Sequence, residues 1–407
     1  MNLSEQISYA SSTLELVKPS ASAWVSQSAK KLRSQGKDVI DLGLGEPDFD
    51  TPSHIIDAAH QAALNGQTRY PPTDGTSELK QAVVGKLKRE NGVQFESPEV
   101  IVSNGAKQVI FNALMATLNP GDEVLLCAPY FGQYKDMVVI LGAKPIEVEC
   151  KAENRFLMTP DSLESAIGER TRWLILNSPS NPCGATYTRS ELEELGRVLS
   201  QHRNVLVLAD EIYEHIVFDD FKFVSFGLAC PELRPRTLIV NGVSKAYAMT
   251  GWRIGYGAGP QALISAMTKV QSQISSGACS VAQAAAAAAL NGPQDSVTLF
   301  RKSFEARRNA VVERVALIEG LSLDKPHGAF YAYIDCADCI GRKTPSGQSI
   351  ESDTDFTQYL LEDALVAAVP GSAYGLSPFF RISTATSEEV LMSALDRIES
   401  SVKKLFN

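Results

Sequence analysis

A chain of 407 residues, 44% hydrophobic and 21% charged, with 28 glycines and 20 prolines, is long enough for two or three domains and has the make-up of a globular protein, not of a disordered or fibrous one. Its formal net charge of −9 argues against nucleic acid or an anionic membrane as partner, since both would be repelled on average, and it requires that an anionic substrate meet positive charge gathered locally. No apolar run approaches the ~20 residues that span a bilayer, and residues 1–12 lack the basic and apolar regions of a secretory signal, which together predict a cytoplasmic protein.

In chain order, six short apolar runs rich in β-branched residues stand at 100–103, 123–127, 173–177, 205–209, 237–240 and 253–258. Each is too short for a helix, and they alternate with helical patterns, which predicts an α/β unit with a largely parallel sheet. Ligands of such sheets gather at the carboxyl ends of the strands, so the turns that follow the runs are where chemistry is expected. The first run passes through Val102-Ser-Asn-Gly105-Ala106-Lys107-Gln108 into a helix. Unpaired backbone N–H groups and the helix dipole make such a turn an anion site, although many turns of this kind are plain connections.

In Leu176-Asn-Ser-Pro-Ser-Asn181-Pro-Cys-Gly184, two X-Pro steps force extended or turn backbone after a strand and hold Asn181 rigidly at the same sheet edge. The run ending in Ala209-Asp210 is apolar enough to be buried on both faces. Asp210 is then either a buried, partnered carboxylate, of the kind that keeps a pyridinium nitrogen protonated, or a cap for the next helix. Asn241-Gly-Val-Ser-Lys245 places a lysine just after a strand, with Arg253 eight residues further on. A lysine alone reads as a solvated surface charge. One that forms a Schiff base near neutral pH needs burial or neighbouring cations to shed its proton, and Arg253 is such a cation.

A second unit begins after Asn291-Gly292-Pro293, which ends an alanine-rich helix over 282–290. Beyond it the pattern predicts a long helix (296–318), a strand (329–334), a polar loop (336–354), a helix (355–361), a strand near 380–383 and a final helix (387–405), an α+β arrangement. Seven scattered cysteines predict reduced thiols. Cys336 and Cys339 form a C-x-x-C without the two further ligands that zinc needs, and the five histidines include no H-E-x-x-H, so no metal is expected.

The motifs Lys18-Pro-Ser-Ala-Ser22, Leu44-Gly-Glu-Pro-Asp-Phe-Asp-Thr-Pro52, Gly105-Ala-Lys-Gln108, Asp210-Glu-Ile-Tyr213 and Ser244-Lys245 through Tyr256, in this order, resemble the class I aminotransferases of fold type I. Most similar is the bacterial aspartate and prephenate aminotransferase branch, and the resemblance covers nearly the whole chain. It implies the fold of pyridoxal-phosphate-dependent transferases: a large domain (50–290) with a mostly parallel seven-stranded sheet, and a small α+β domain formed by residues 1–49 and 291–407. It also implies a homodimer with shared active sites.

Carried over residue by residue, the resemblance makes Lys245 the holder of pyridoxal 5'-phosphate as a Schiff base and the carrier of the substrate's Cα proton. Asp210 pairs with the pyridine nitrogen, and Asn181 and Tyr213 bond the phenolic oxygen. Phe131 stacks on the ring, although an aromatic there could equally be core. Gly105, Ala106 and Lys107 of the first turn, with Ser244 and Arg253, hold the phosphate, and Tyr70 reaches the phosphate in the other subunit.

Arg381, otherwise readable as a surface arginine, clamps the substrate α-carboxylate beside the Gly45 backbone. Lys107, helped by Ser22, reads a distal carboxylate; without the resemblance it would simply point into solvent. The implied substrates are an L-amino acid, aspartate or glutamate first, and a 2-oxo acid, in a ping-pong exchange. The alternatives are prephenate or an aromatic amino acid as substrate, or a lyase of the same fold. A transcription regulator built on this domain would need a DNA-binding extension, for which the short N-terminus leaves no room. Three places depart from the branch: Cys183, Thr384 and the loop Ser275-Ser-Gly-Ala-Cys279. Substrate preference is where that loop is expected to matter.

Overall fold

A computed structural model describes residues 9–17 and 19–406. Lys18 of the N-terminal motif, and residues 1–8 of the stretch read for a secretory signal, lie outside the described residues. The strands are β1 (Ile40–Asp41), β2 (Val100–Ser103), β3 (Glu123–Ala128), β4 (Lys144–Glu149), β5 (Thr171–Asn177), β6 (Leu206–Asp210), β7 (Thr237–Gly242), β8 (Gly255–Ala258), β9 (Tyr331–Asp335), β10 (Val366–Ala367), β11 (Val369–Pro370) and β12 (Phe379–Ser383).

Seven of them form one sheet in the order β2-β8-β7-β6-β5-β3-β4. Only β8 runs against its neighbours β2 and β7; the other pairs are parallel. This is the mostly parallel seven-stranded sheet that the resemblance implies. Successive residues of a strand face opposite sides, and both sides are covered. Ile101, Leu238 and Val240 pack with helices Ala106–Thr117 and Gln261–Ile274, whereas Val100, Val102 and Ile239 pack on the side of the alanine-rich helix Ser280–Asn291. There Ala285, Ala286 and Ala289 are fully buried, and the helix lies against Ser53–Leu64 and Ser77–Lys86. Small side chains let those three helices approach closely.

The apolar runs locate six strands and miss β4. Its sequence KPIEVE exposes Lys144, Glu147 and Glu149, as suits an edge strand paired only with β3, so no continuous apolar run exists to find. The run at 253–258 is shorter as a strand because Arg253 takes a left-handed conformation (φ 57°) after the turn Thr250–Trp252. The run at 205–209 moves by one residue, which makes Asp210 the last residue of β6.

Residues 329–334 begin with Ala329 in a left-handed conformation, so β9 starts at Tyr331. It pairs antiparallel with β12, and β12 with β11. Helices Asp295–Val315 and Glu388–Phe406 pack on each other beside this small sheet. The N-terminal segment joins this part of the fold through a separate two-stranded sheet, β1 parallel to β10. All seven cysteines are free; Cys336 and Cys339 are buried, with thiols that point to the carbonyls of Pro378 and Gly320. No helix among the described residues is long and apolar enough to cross a membrane.

Candidate active site

The carboxyl ends of β2, β5, β6 and β7 open on a cavity of about 400 Å³. Ser22, Gly45, Ala106, Lys107, Phe131, Asn181, Asp210, Tyr213, Ser244, Lys245, Arg253 and Arg381 all line it. Two residues named from the sequence do not. Gly105 sits behind the wall as the cap of helix Ala106–Thr117, and Tyr70 is 96% exposed, away from this chain's cavity.

Asp210 stands at the buried end of the cavity, in register between Asn177 of β5 and Val240 of β7. It is a buried, partnered carboxylate, and what it caps is a turn and not a helix, since no helix directly follows β6. Its Oδ1 accepts from the Ile212 N–H at 3.2 Å, as a turn cap does, while its Oδ2 accepts from Tyr134 Oη at 2.5 Å. Burial raises its pKa to about 6 against the lowering by Tyr134, Ile212 and Lys245.

Lys245 donates to the Gly45 carbonyl at 2.6 Å. Burial, assisted by the Arg381 charge and only partly opposed by Glu46, lowers its pKa to about 8. Its neutral amine is therefore accessible near physiological pH, where a free lysine is almost wholly protonated. The depressing cation named from the sequence, Arg253, contributes less than Arg381.

The first-turn wall is built for an anion. Gly105 holds φ 88°, which other residues rarely adopt, and a Cβ there would fall 2.4 Å from Arg253 Nη2. A Cβ on Gly255 would fall 2.1 Å from the Ala106 nitrogen. Both glycines thus let Arg253 and the helix start close on the same space, and the helix has neither a side-chain cap nor an acid in its first turn. Arg253 itself is held by the carbonyls of Thr250 (2.8 Å) and Asn104 (3.3 Å). Ser244, 8% exposed, completes the wall.

Arg381 is 2% exposed and so is not a surface arginine. Its Nη1 donates to Asn181 Oδ1 at 2.9 Å and its Nη2 to the Gly43 carbonyl at 2.6 Å, and its Nε is buried without a partner. Tyr331 and Tyr374 flank the guanidinium at 4.5 and 5.0 Å. Lys107 faces the cavity with its ammonium 5.5 Å from the Phe131 ring; burial, then Arg253, lowers its pKa. Ser22 Oγ lies 3.5 Å from the Tyr374 hydroxyl.

Several lining residues were not found from the sequence. Tyr134 orients Asp210, and Asn177 bonds the Asp210 carbonyl (3.0 Å) and the Asn181 N–H (2.8 Å). Tyr331 Oη sits 2.8 Å from Tyr213 Oη, and Glu46 accepts from Thr250 at 2.9 Å. Asn177 could have been found as the residue in register with Asp210 at the end of the neighbouring strand. Tyr331 lies in an apolar stretch where an aromatic reads as core, and Tyr134, between Gln133 and Lys135, carries no motif of its own.

Of the departures, Cys183 and Thr384 are buried outside the lining. The loop at 275–279 is also absent from it: Ser275 accepts from Gln108 at 2.6 Å, and Gly277 abuts Pro71 and Pro72. Within this chain that loop does not touch the substrate space.

Comparison with known proteins gives the family. Residues 37–398 match the family model described as aminotransferase class I and II. An aspartate aminotransferase of Rhizobium meliloti is 55% identical over 93% of this chain and 92% of its own length. An aspartate/prephenate aminotransferase of Cereibacter sphaeroides is 50% identical over 97% and 98%. Among solved structures, the aspartate aminotransferase from Rhizobium meliloti superposes with a TM-score of 0.96 at 51% identity, covering 98% of this chain and 100% of that one. That from Thermus thermophilus with maleate gives 0.90 at 39%, over 97% and 100%. The chain belongs to the class I and II aminotransferases, as a fold type I enzyme of the bacterial aspartate and prephenate aminotransferase branch that moves amino groups.

Proposed function

We propose that this aminotransferase carries pyridoxal 5'-phosphate in the cavity and exchanges amino groups between a dicarboxylic L-amino acid, aspartate or glutamate, and a 2-oxo acid. The observation that carries the reading is the meeting in one cavity of a lysine with a depressed pKa, a buried carboxylate and a buried arginine: Lys245, Asp210 and Arg381. The residues present fit the cofactor. Ser244, Arg253 and the uncapped helix start suit its phosphate, Asp210 its ring nitrogen, Asn181 and Tyr213 its phenolic oxygen, Phe131 a ring face and Lys245 its carbonyl carbon.

The bound group supplies a carbonyl carbon for Schiff-base chemistry and a conjugated ring that accepts the electron pair left at the substrate's Cα. Lys245 Nζ, once neutral, is the base that takes the Cα proton and returns it on the other side of the exchange. Asp210, ionised, holds a positive charge at the ring nitrogen. Arg381 orients the substrate through its α-carboxylate.

Lys107 and Ser22 stand on different elements from Arg381 and supply a second anion station, which suits a substrate with two carboxylates. The maleate in the Thermus thermophilus relative is such a dicarboxylate and supports this reading for the present chain. Prephenate, also a dicarboxylate and named for the Cereibacter sphaeroides relative, is the second reading.

The full exposure of Tyr70 suits a side chain that completes the cavity of a second copy, and hence a homodimer. The pairing of β1 with β10 supports a division into a large domain at 50–290 and a small one of 1–49 with 291–407. The net charge of −9 and the free thiols suit a cytoplasmic location. The test is a donor and acceptor screen on the loaded protein. Its visible absorbance should change with aspartate or glutamate and return with oxaloacetate or 2-oxoglutarate. Steady release of ammonia or pyruvate from an amino acid without an acceptor would instead identify a lyase.

A further inference from the structure

Outside the cavity lining, a buried ionic cluster joins the two turns that carry the reacting groups. Lys86, the last residue of helix Ser77–Lys86, is fully buried. Its ammonium donates to Asn91 Oδ1 at 2.7 Å and to Glu214 Oε1, and lies 3.8 Å from Glu90. Glu214, 5% exposed, also accepts from Asn91 Nδ2 on its Oε2 and from Asn241 Nδ2 on its Oε1, the latter at 2.9 Å. His215 closes the group, with Nδ1 3.6 Å from Glu214 and Nε2 3.0 Å from Glu90.

The carboxylates and imidazole of Glu90, Glu214 and His215 converge closely enough to hold a metal ion, but the Lys86 ammonium already bonds to Glu214 and lies 3.8 Å from Glu90. The cluster carries its own cation. Burial by itself would raise the Glu214 pKa, and Lys86 and His215 outweigh it, so the carboxylate is ionised and paired.

The place of this pair in the chain gives it a purpose. Glu214 adjoins Tyr213 and is in the same turn as Asp210; Asn241 is the penultimate residue of β7, which leads through Ser244 to Lys245. Helix Ser77–Lys86 therefore grips both turns through one carboxylate. A buried ion pair stabilises a fold poorly compared with apolar side chains of the same volume, because both charges lose their hydration. Its directional bonds do fix geometry, and a fully satisfied polar network admits one arrangement where an apolar contact admits several.

We propose that Lys86 and Glu214 are positioning residues: through Asn241 they hold the turn of Asp210 and Tyr213 in fixed relation to the turn of Ser244 and Lys245. The inference rests on the proposed roles of Asp210 and Lys245.

The test compares Lys86→Met, Glu214→Gln and Asn241→Ala with the parent enzyme, each loaded with cofactor and corrected for the folded, loaded fraction. A misplacement of about 1 Å can cost on the order of 10²-fold in rate, so kcat should fall at least ~10-fold. KM for the amino acid should stay within ~2-fold, because Arg381 and Lys107 stand on other elements. The pH midpoint of the visible absorbance should also move, which a merely structural role would not cause. If Lys86→Met or Glu214→Gln does not fold, Asn241→Ala decides, since it cuts the tie to β7 and leaves the ion pair whole. Wild-type kcat and an unmoved pH midpoint in loaded Asn241→Ala would overturn the proposal. Turnover surviving in Lys245→Ala would instead overturn the reading of the site on which it rests.

Discussion

Replacing Asp210 by asparagine should make the cofactor-free protein more stable and the loaded enzyme slower. In the folded chain burial raises this carboxyl from 3.8 to about 6. Each pKa unit corresponds to about 1.4 kcal/mol, so the ionised side chain destabilises the cofactor-free fold by about 3 kcal/mol at neutral pH. The sign follows from proton counting. Between 3.8 and about 6 the folded state binds more protons than the unfolded one, so stability is full below 3.8 and is lost as pH rises through about 6.

Asparagine is close in shape: its Oδ1 can accept from the Ile212 N–H, and its Nδ2 can donate to the Tyr134 oxygen, which reverses the direction of that bond. The two proteins should thus be equally stable near pH 4, and the variant should gain up to about 3 kcal/mol by pH 7.5. Urea unfolding of the cofactor-free proteins, followed by tryptophan fluorescence at several pH values, measures this gap. Loaded Asp210→Asn should turn over at least ~10²-fold more slowly, because the ring then loses the charge that lets it drain electrons from Cα. A variant no more stable than the parent at pH 7.5 would show that the carboxylate is well solvated or paired. Unchanged turnover would reduce Asp210 to a turn cap.

Lys245→Ala should still bind the cofactor through Ser244, Arg253 and the ring contacts, but lose the visible band of the Schiff base and all transamination; Lys245→Arg should fail in the same way, because arginine does not deprotonate. Lys107→Ala should lower kcat/KM for aspartate by ~10–100-fold, the ~1.5–3 kcal/mol of one charge-assisted hydrogen bond, while sparing neutral amino acids; equal losses for both substrate classes would remove it as the reader of the distal carboxylate. Glu211→Gln should resist alkaline unfolding. Burial and then the Glu214 charge raise Glu211 from 4.5 to about 8, so its contribution is lost as pH rises through about 8, and unfolding at pH 6 and pH 9 should show the variant's advantage growing toward a ceiling of about 5 kcal/mol.

What the sequence made legible follows from where chemistry sits in an α/β fold. Asp210, Asn181, Lys245 and the Gly105 to Lys107 turn each follow a strand whose apolar run is plain, so strand ends alone bring them to one edge. Arg381 had no such signal. It lies inside a strand of the small sheet, where the two phenylalanines before it argue against full solvation, but only the resemblance gave it a place in the cavity. Tyr331 was hidden because a tyrosine in an apolar stretch looks the same whether its hydroxyl serves a site or a core, and Tyr134 because, between Gln133 and Lys135, nothing local ties it to Asp210, 76 residues away. Lys86 was invisible for the opposite reason: a lysine at the end of a helix reads as solvated, and nothing local reveals that Glu214, 128 residues away, neutralises it in the interior.

The bonds of Arg381 have a bearing on how firmly any carboxylate can be held. Its two terminal nitrogens already donate to Asn181, which follows β5, and to the Gly43 carbonyl in the N-terminal segment. A guanidinium carries five N–H donors, so these two bonds leave three over, among them the buried Nε. An arriving carboxylate therefore does not have to break the clasp between the two distant stretches of chain; it can take the donors that the clasp leaves over. The clasp meanwhile fixes the plane of the guanidinium before any ligand arrives, so that little side-chain freedom remains to be lost when a carboxylate binds.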